Sequence, residues 1–532
     1  MSGGGSAAPV EKAAPLSARR DKKPKLLQST LRRQKKKNGL FPSLLRHAVV
    51  AAVVSIILYQ TFFFLDSADP VQIVQNSWSK QIEIDKRTRI PTGEMIDEII
   101  LYEFMTECEL DTYGNLSVET FFAKYHGKKP VKFRSPNYPN VDIFKEIERN
   151  TLLEKYGNVL VNVGTTTDGT FTLDKPINAK RSLKQVVHDI STWPPIDVYF
   201  SDSVDGEFIA DARRVIGSTP IDAYRPPPHF TGIAKEFAGT APRFTLGGGG
   251  GGLAFHQRTS SYTELFLGAQ RWSLYGPGNA PVHQGYSPFR PHSSWLNSSK
   301  LPQYNDSSPL ECVQGPGEVV YVPDDWLRAT LLLRPTISIV RNAKSALPGT
   351  AMYFQNKAVR LMDDERRHKK ATAEELRRAE KFLRRALILD PTNARYYAQL
   401  SVALSKQQKY VAGYGAIQKG LSLNNQSAFV RHKLVHLLLE LDTNGVVIEN
   451  EETGKPIDWL VTAYETSVEQ HENFGNLGWI YHHFDFINPL TRIADEIDKE
   501  YPVREHILSD GTHLTGDKVR VFILRAAQKT WD

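Results

Sequence analysis

Three groups of residues have types and spacing that could support chemistry. His471, His482 and His483 fall near Glu472 and Asp485, donor types that bind divalent metals. Their spacing matches no metal motif, so a solvated or core role is expected for them. The second group is the run of six glycines at 247–252. A phosphate loop would continue into Gly-Lys-Ser/Thr and a helix, but a strand-like segment follows here, so a flexible strand-entry loop is expected. The third is Asp202-Ser203-Val204-Asp205, one residue too long for the Asp-x-Asp that holds metal and nucleotide sugar in a transferase. The two cysteines, Cys108 and Cys312, are too few for a Cys-based zinc site. They could close one disulfide in an oxidising compartment or remain two buried thiols. Asn115, Asn297, Asn305 and Asn425 each open an Asn-x-Ser acceptor for N-glycosylation.

Charge and hydropathy say where such chemistry would take place. The net charge is +7, with 12 Lys and Arg against two acids, Glu11 and Asp21, before residue 47. The rest of the chain is slightly acidic, which argues against nucleic acid as a partner. Residues 48–65 form an apolar run broken only by Ser55, Tyr59, Gln60 and Thr61, long enough to cover most of the roughly 30 Å hydrocarbon layer. Arg32, Arg33, Lys35, Lys36, Lys37 and Arg46 precede it and Asp66 and Asp69 follow, so the N-terminus is expected in the cytosol and the bulk in the lumen. A cleaved signal peptide is the rival reading, opposed by the long polar leader and by the lack of a small-x-small site after Phe64.

The elements that would position a site change character along the chain. Strand-like runs alternate with turn residues at 159–163, 208–210, 271–275, 319–322 and 336–340, a pattern of short strands that predicts a sandwich or barrel. Past Pro348-Gly349 the sequence becomes helical. Ala379, Leu383, Ala386 and Pro391, then Tyr397, Leu400, Leu404, Gly413, Ile417 and Gly420, keep the 34-residue register of tetratricopeptide repeats. The expected class is α+β and multidomain: a basic tail 1–46, a transmembrane helix 47–65, a stem 66–100, a β-rich domain 101–345, a repeat-like helical region 346–445 and a C-terminal helical cap 446–532.

Within the β-rich region, Phe255-His256-Gln257-Arg258, the stretch from Tyr262 through Gly268 to Tyr275, Pro309-Leu310-Glu311-Cys312, and Gly315 through Pro323 into Trp326-Leu327-Arg328 occur in that order. This set resembles the JmjC/cupin double-stranded β-helix, and more closely the small JmjC-domain proteins of the endoplasmic reticulum lumen. The resemblance implies iron on two His and one carboxylate, with open sites for 2-oxoglutarate and oxygen. His256 fills the first position, but Arg258 stands where the carboxylate belongs and Arg328 where the second His belongs. Guanidinium has no lone pair and stays protonated, so both arginines repel a divalent ion. Many members place a co-substrate Lys where this chain has Gln270, and alternation turns the neighbouring Arg271 to the other face. Arg258 and Arg328 would then either form an anion pocket or pair with acids such as Glu264, Asp324 or Asp325.

The expected function is a lumenal, catalytically inactive barrel with helical repeats, a scaffold without cofactor, anchored in the endoplasmic reticulum or early secretory membrane and bound to a protein partner. The alternative is an atypical Fe(II)/2-oxoglutarate-dependent oxygenase or another modifying enzyme of that pathway.

Overall fold

Val-, Ile- and aromatic-rich runs bounded by Gly and Pro favour pleated pairing, and they build two sheets. The computed structural model describes residues 108–134, 140–164, 179–191, 199–203, 207–231, 234–279, 309–362, 370–425, 427–450, 453–473, 486–500 and 503–528, all in the unit Asp69–Asp532. The proposed tail, span and stem, together with Asn297, Asn305, His482, His483 and Asp485, lie outside the described residues. No helix among the described residues is long and apolar enough to cross a membrane.

The strands are β1 (Thr112–Tyr113), β2 (Val131–Arg134), β3 (Leu160–Gly164), β4 (Ala179–Ser182), β5 (Tyr199–Ser203), β6 (Arg243–Gly247), β7 (Gly252–Gln257), β8 (Ser261–Leu267), β9 (Gln270–Tyr275), β10 (Leu310–Gln314), β11 (Glu318–Val322), β12 (Leu327–Leu332) and β13 (Thr336–Asn342). One sheet has the order β1-β2-β11-β8-β13-β6-β5-β3-β4, the other β10-β9-β12-β7. From β6 onward the chain crosses repeatedly between the two sheets, which makes a double-stranded β-helix. Trp272, Leu274 and Cys312 of the smaller sheet meet Val320 and Val322 of the larger one inside the barrel. The opposite face of the larger sheet, through Tyr262, Phe266, Tyr321 and Ile337, buries against an outer layer holding Phe121, Phe144, Tyr156, Phe208 and Phe230. Phe230 stacks on Tyr262 with ring centroids 3.9 Å apart.

That outer layer contains helices α1 (Val118–Lys124), α2 (Val141–Ile147), α3 (Arg149–Tyr156), α4 (Leu183–Ser191) and α5 (Glu207–Ile216). Residues 208–210, expected as a strand, belong to α5. Phe208, Ile209 and Ala212 form its buried side, a helical period that the first three residues alone do not reveal.

The glycine run is an ordered strand connection rather than a loose loop. Gly250 N donates to Leu332 O at 2.8 Å and Leu332 N to Gly251 O at 2.7 Å. Gly252 has φ +147°, and a Cβ there would lie 2.0 Å from Thr330 O, so only glycine lets β7 approach β12.

Among the described residues, eight helices follow: α6 (Ala351–Met362), α7 (Ala373–Leu389), α8 (Ala394–Ser405), α9 (Tyr410–Leu423), α10 (Ala428–Thr443), α11 (Trp459–Asn473), α12 (Ile487–Glu500) and α13 (Gly516–Gln528). Thr372 and Glu375 form a reciprocal capping box at the start of α7. Gly413 and Gly420 let α9 lie close to α8, since a Cβ would sit 3.3 Å from Ser401 O and 3.1 Å from Ala394 O respectively. Near the end of the chain, buried His506 bridges Asp458 at 2.9 Å and Glu500 at 3.1 Å.

Candidate functional site

The barrel centre brings together the residues that the resemblance singles out. β12 lies between β7 and β9, with Arg328 opposite His256 on one side and Leu274 on the other. Arg328 is buried, and its guanidinium turns toward β8. One Nη donates to the Ser261 hydroxyl, the other to Pro323 O at 2.9 Å and to Arg258 O at 3.3 Å. Burial lowers its pKa to about 10, with Asp324 opposing the shift. The site thus holds a permanent cation at neutral pH.

The acids expected beside the arginines have other work. Glu264 lies on the outer face of β8, because Ser261, three residues earlier, faces the interior. Its carboxyl accepts from Asn140 Nδ2 at 3.0 and 3.2 Å and from the Tyr224 hydroxyl at 3.1 Å, and burial raises its pKa to about 7. Asp324 accepts from the backbone N–H groups of Ser260 and Leu347, and influences Arg328 through its charge. Asp325, at φ 67°, caps α6 by accepting from Ala351 N and Met352 N, both at 2.7 Å. An Asp-Asp pair between Pro323 and Trp326 signals a turn, but nothing local shows which helix it caps.

At the co-substrate position, Gln270 is buried and shares the interior face of β9 with Trp272 and Leu274 by alternation. Arg271 points the other way and pairs with Glu311. Deeper in, Gln314, unremarked in the sequence, accepts from Trp272 Nε1 at 2.8 Å and donates to Thr263 O and Glu318 O, both at 2.8 Å. Cys108 and Cys312 are joined by a disulfide. Asn115 and Asn425 are exposed.

A second polar cluster ties the barrel rim to the helices. Asp390 accepts from Gly278 N at 3.0 Å, Gln257 Nε2 at 3.3 Å and Asn393 Nδ2 at 2.9 Å. Asn393 donates to Gln257 Oε1 at 2.7 Å.

No family model matches the chain. Over 235 residues it is 27% identical to JmjC domain-containing protein 8 of Homo sapiens, covering 44% of this chain and 82% of that protein. This similarity supports a JmjC domain in the chain. The chain is also 26% identical over 245 residues to the lysine-specific demethylase JMJ21 of Arabidopsis thaliana, covering 43% of this chain and 24% of that one. It is also 34% identical over 105 residues to the 2-oxoglutarate and iron-dependent oxygenase JMJD4 of Gallus gallus, covering 18% and 25%.

The last of these names overturns the expectation that the chain takes no cofactor, because that relative is named as dependent on 2-oxoglutarate and iron. Residues 256, 258 and 328 nonetheless do not fit iron. His256 offers a single imidazole, Arg258 and Arg328 cannot donate a lone pair, and Arg328 is bonded into the wall. Iron in this chain would require a different donor set.

Proposed function

We propose that this chain is a JmjC-fold docking protein of the early secretory pathway, with a type II anchor at residues 47–65 and a lumenal barrel and helical array that bind a protein partner without oxidising it. The observation that carries this reading is Arg328, a buried cation opposite His256 that engages Ser261 and two backbone carbonyls. The Cys108–Cys312 disulfide supports an oxidising compartment. Hairpin packing of α7 to α10, in the 34-residue register of small residues at 379 and 413 and at 386 and 420, supports a tetratricopeptide-like array. Exposed Asn115 and Asn425 are its accessible glycan acceptors. Arg258 and Arg328 would act as wall cations rather than as an open anion pocket.

The second reading, an atypical oxygenase, rests on the names of the relatives. The two separate in one experiment on the detergent-solubilised full-length chain, measuring 2-oxoglutarate turnover and bound iron beside an Arg258→Asp, Arg328→His variant. The docking reading expects no turnover by the natural chain and more iron on the variant, which regains two donor positions. Turnover by the natural chain would replace this reading with the second one.

A further inference from the structure

A cleft of about 540 Å³ opens between β1 and the end of α1, lined by Asp111, Thr112, Tyr113, Lys124, Tyr125 and Lys129. Its back wall is held in place by internal bonds. The Tyr125 hydroxyl donates to Asp111 Oδ2 at 2.8 Å, Lys129 Nζ donates to the same oxygen at 2.6 Å, and the hydroxyls of Tyr113 and Tyr125 lie 2.6 Å apart. With the Tyr125 proton directed to Asp111, the Tyr113 proton goes to Tyr125. Lys129 also lies over the Tyr125 ring, 5.3 Å from its centroid. The Lys129 and Tyr125 hydrogen bonds hold the Asp111 carboxyl below its usual pKa, so Asp111 stays ionised and balances Lys129. Lys124 is exposed and near enough to act on Asp111 through space, which leaves the cleft with one positive charge in excess.

The cleft also adjoins a sheet edge, since β1 ends the nine-stranded sheet and pairs only with β2 among the described residues. An extended peptide can lie along such an edge while a side pocket reads one of its side chains. We propose that this cleft docks an extended acidic segment of a partner protein, with Lys124 taking the carboxylate and the Tyr113–Tyr125 wall fixing its position. The proposal rests on the docking reading and names the chemistry of the partner that this reading requires.

The test uses the full-length chain and a fluorescein-labelled peptide of alternating Glu and Ser, read by anisotropy. Binding should weaken with salt, fall about ten-fold or more in Lys124→Glu and vanish for the peptide with Gln in place of Glu. Lys419→Glu, an equal charge change at an exposed position of α9, should leave it intact. Both lysines are exposed, so neither change threatens folding. Absence of binding by the natural chain, equal loss in both variants, or retention by the Gln peptide would each overturn the proposal. None of these outcomes bears on 2-oxoglutarate turnover, so the docking reading stands or falls separately.

Discussion

Glu264 shows what burial does to a single residue. Its carboxyl sits among Asn140, Tyr224 and Tyr262 rather than beside a cation, and keeps its proton up to about pH 7 against an ordinary value of 4.5. For an acid whose folded pKa is raised, the unfolded chain loses its proton first. Stability is therefore fullest below about pH 4.5 and declines as pH rises through about 7. Glu264→Gln should remove up to ~3 kcal/mol of that decline. Urea midpoints at about pH 5 and about pH 8 check this, and an unchanged difference between the two would show that burial of Glu264 does not set the slope. Arg328 presents the complementary case. Its identity already argues against iron in the sequence, whereas its partners, Ser261 and two carbonyls, come from positions 67, 70 and 5 residues away.

Secondary-structure elements meet in this protein through caps contributed from a distance. The first helix after the barrel, α6, is capped by Asp325 from 26 and 27 residues earlier in the chain. Replacing Asp325 by Ala should cost about 1–3 kcal/mol, because two helix N–H groups lose their acceptor. Asp325→Asn, which keeps one acceptor oxygen and tolerates the left-handed backbone, should cost less. Denaturant unfolding gives the magnitudes, and faster amide exchange confined to the start of α6 would locate the effect. Equal stability of the Ala variant and the natural chain would exclude the cap as an energetic link. The same logic explains the misreading of residues 208–210: three apolar residues suit either period, and the sheet beneath α5 decides which side is buried.

At the scale of the whole molecule, the disulfide joins the segment before β1 to β10 across 204 residues. Closing so long a loop restricts the unfolded chain, so its removal should cost roughly 3–5 kcal/mol. Comparing denaturation of the natural chain with that of Cys108→Ser, Cys312→Ser tests the figure. Thiol labelling in intact cells tests the compartment, since both cysteines should resist alkylation until reduced. The Asp390 cluster with Gln257, Gly278 and Asn393 fastens the helices to the barrel rim. It joins residues more than a hundred positions apart, and no local pattern announces it.

The sequence by itself determined the barrel's strand-forming runs, the helical character beyond Pro348-Gly349 and the unsuitability of residues 258 and 328 as metal ligands. Each of these depends on residue type and short-range period, which local sterics and lone-pair chemistry dictate. Only the tertiary structure decided where the buried charges go. Alternation placed Ser261 inward and Glu264 outward, the crossing between sheets set Arg328 against His256, and the turn after Pro323 carried Asp325 to a helix. Hydrogen-bond partners are chosen by proximity in space, and proximity exists only once both sheets have closed.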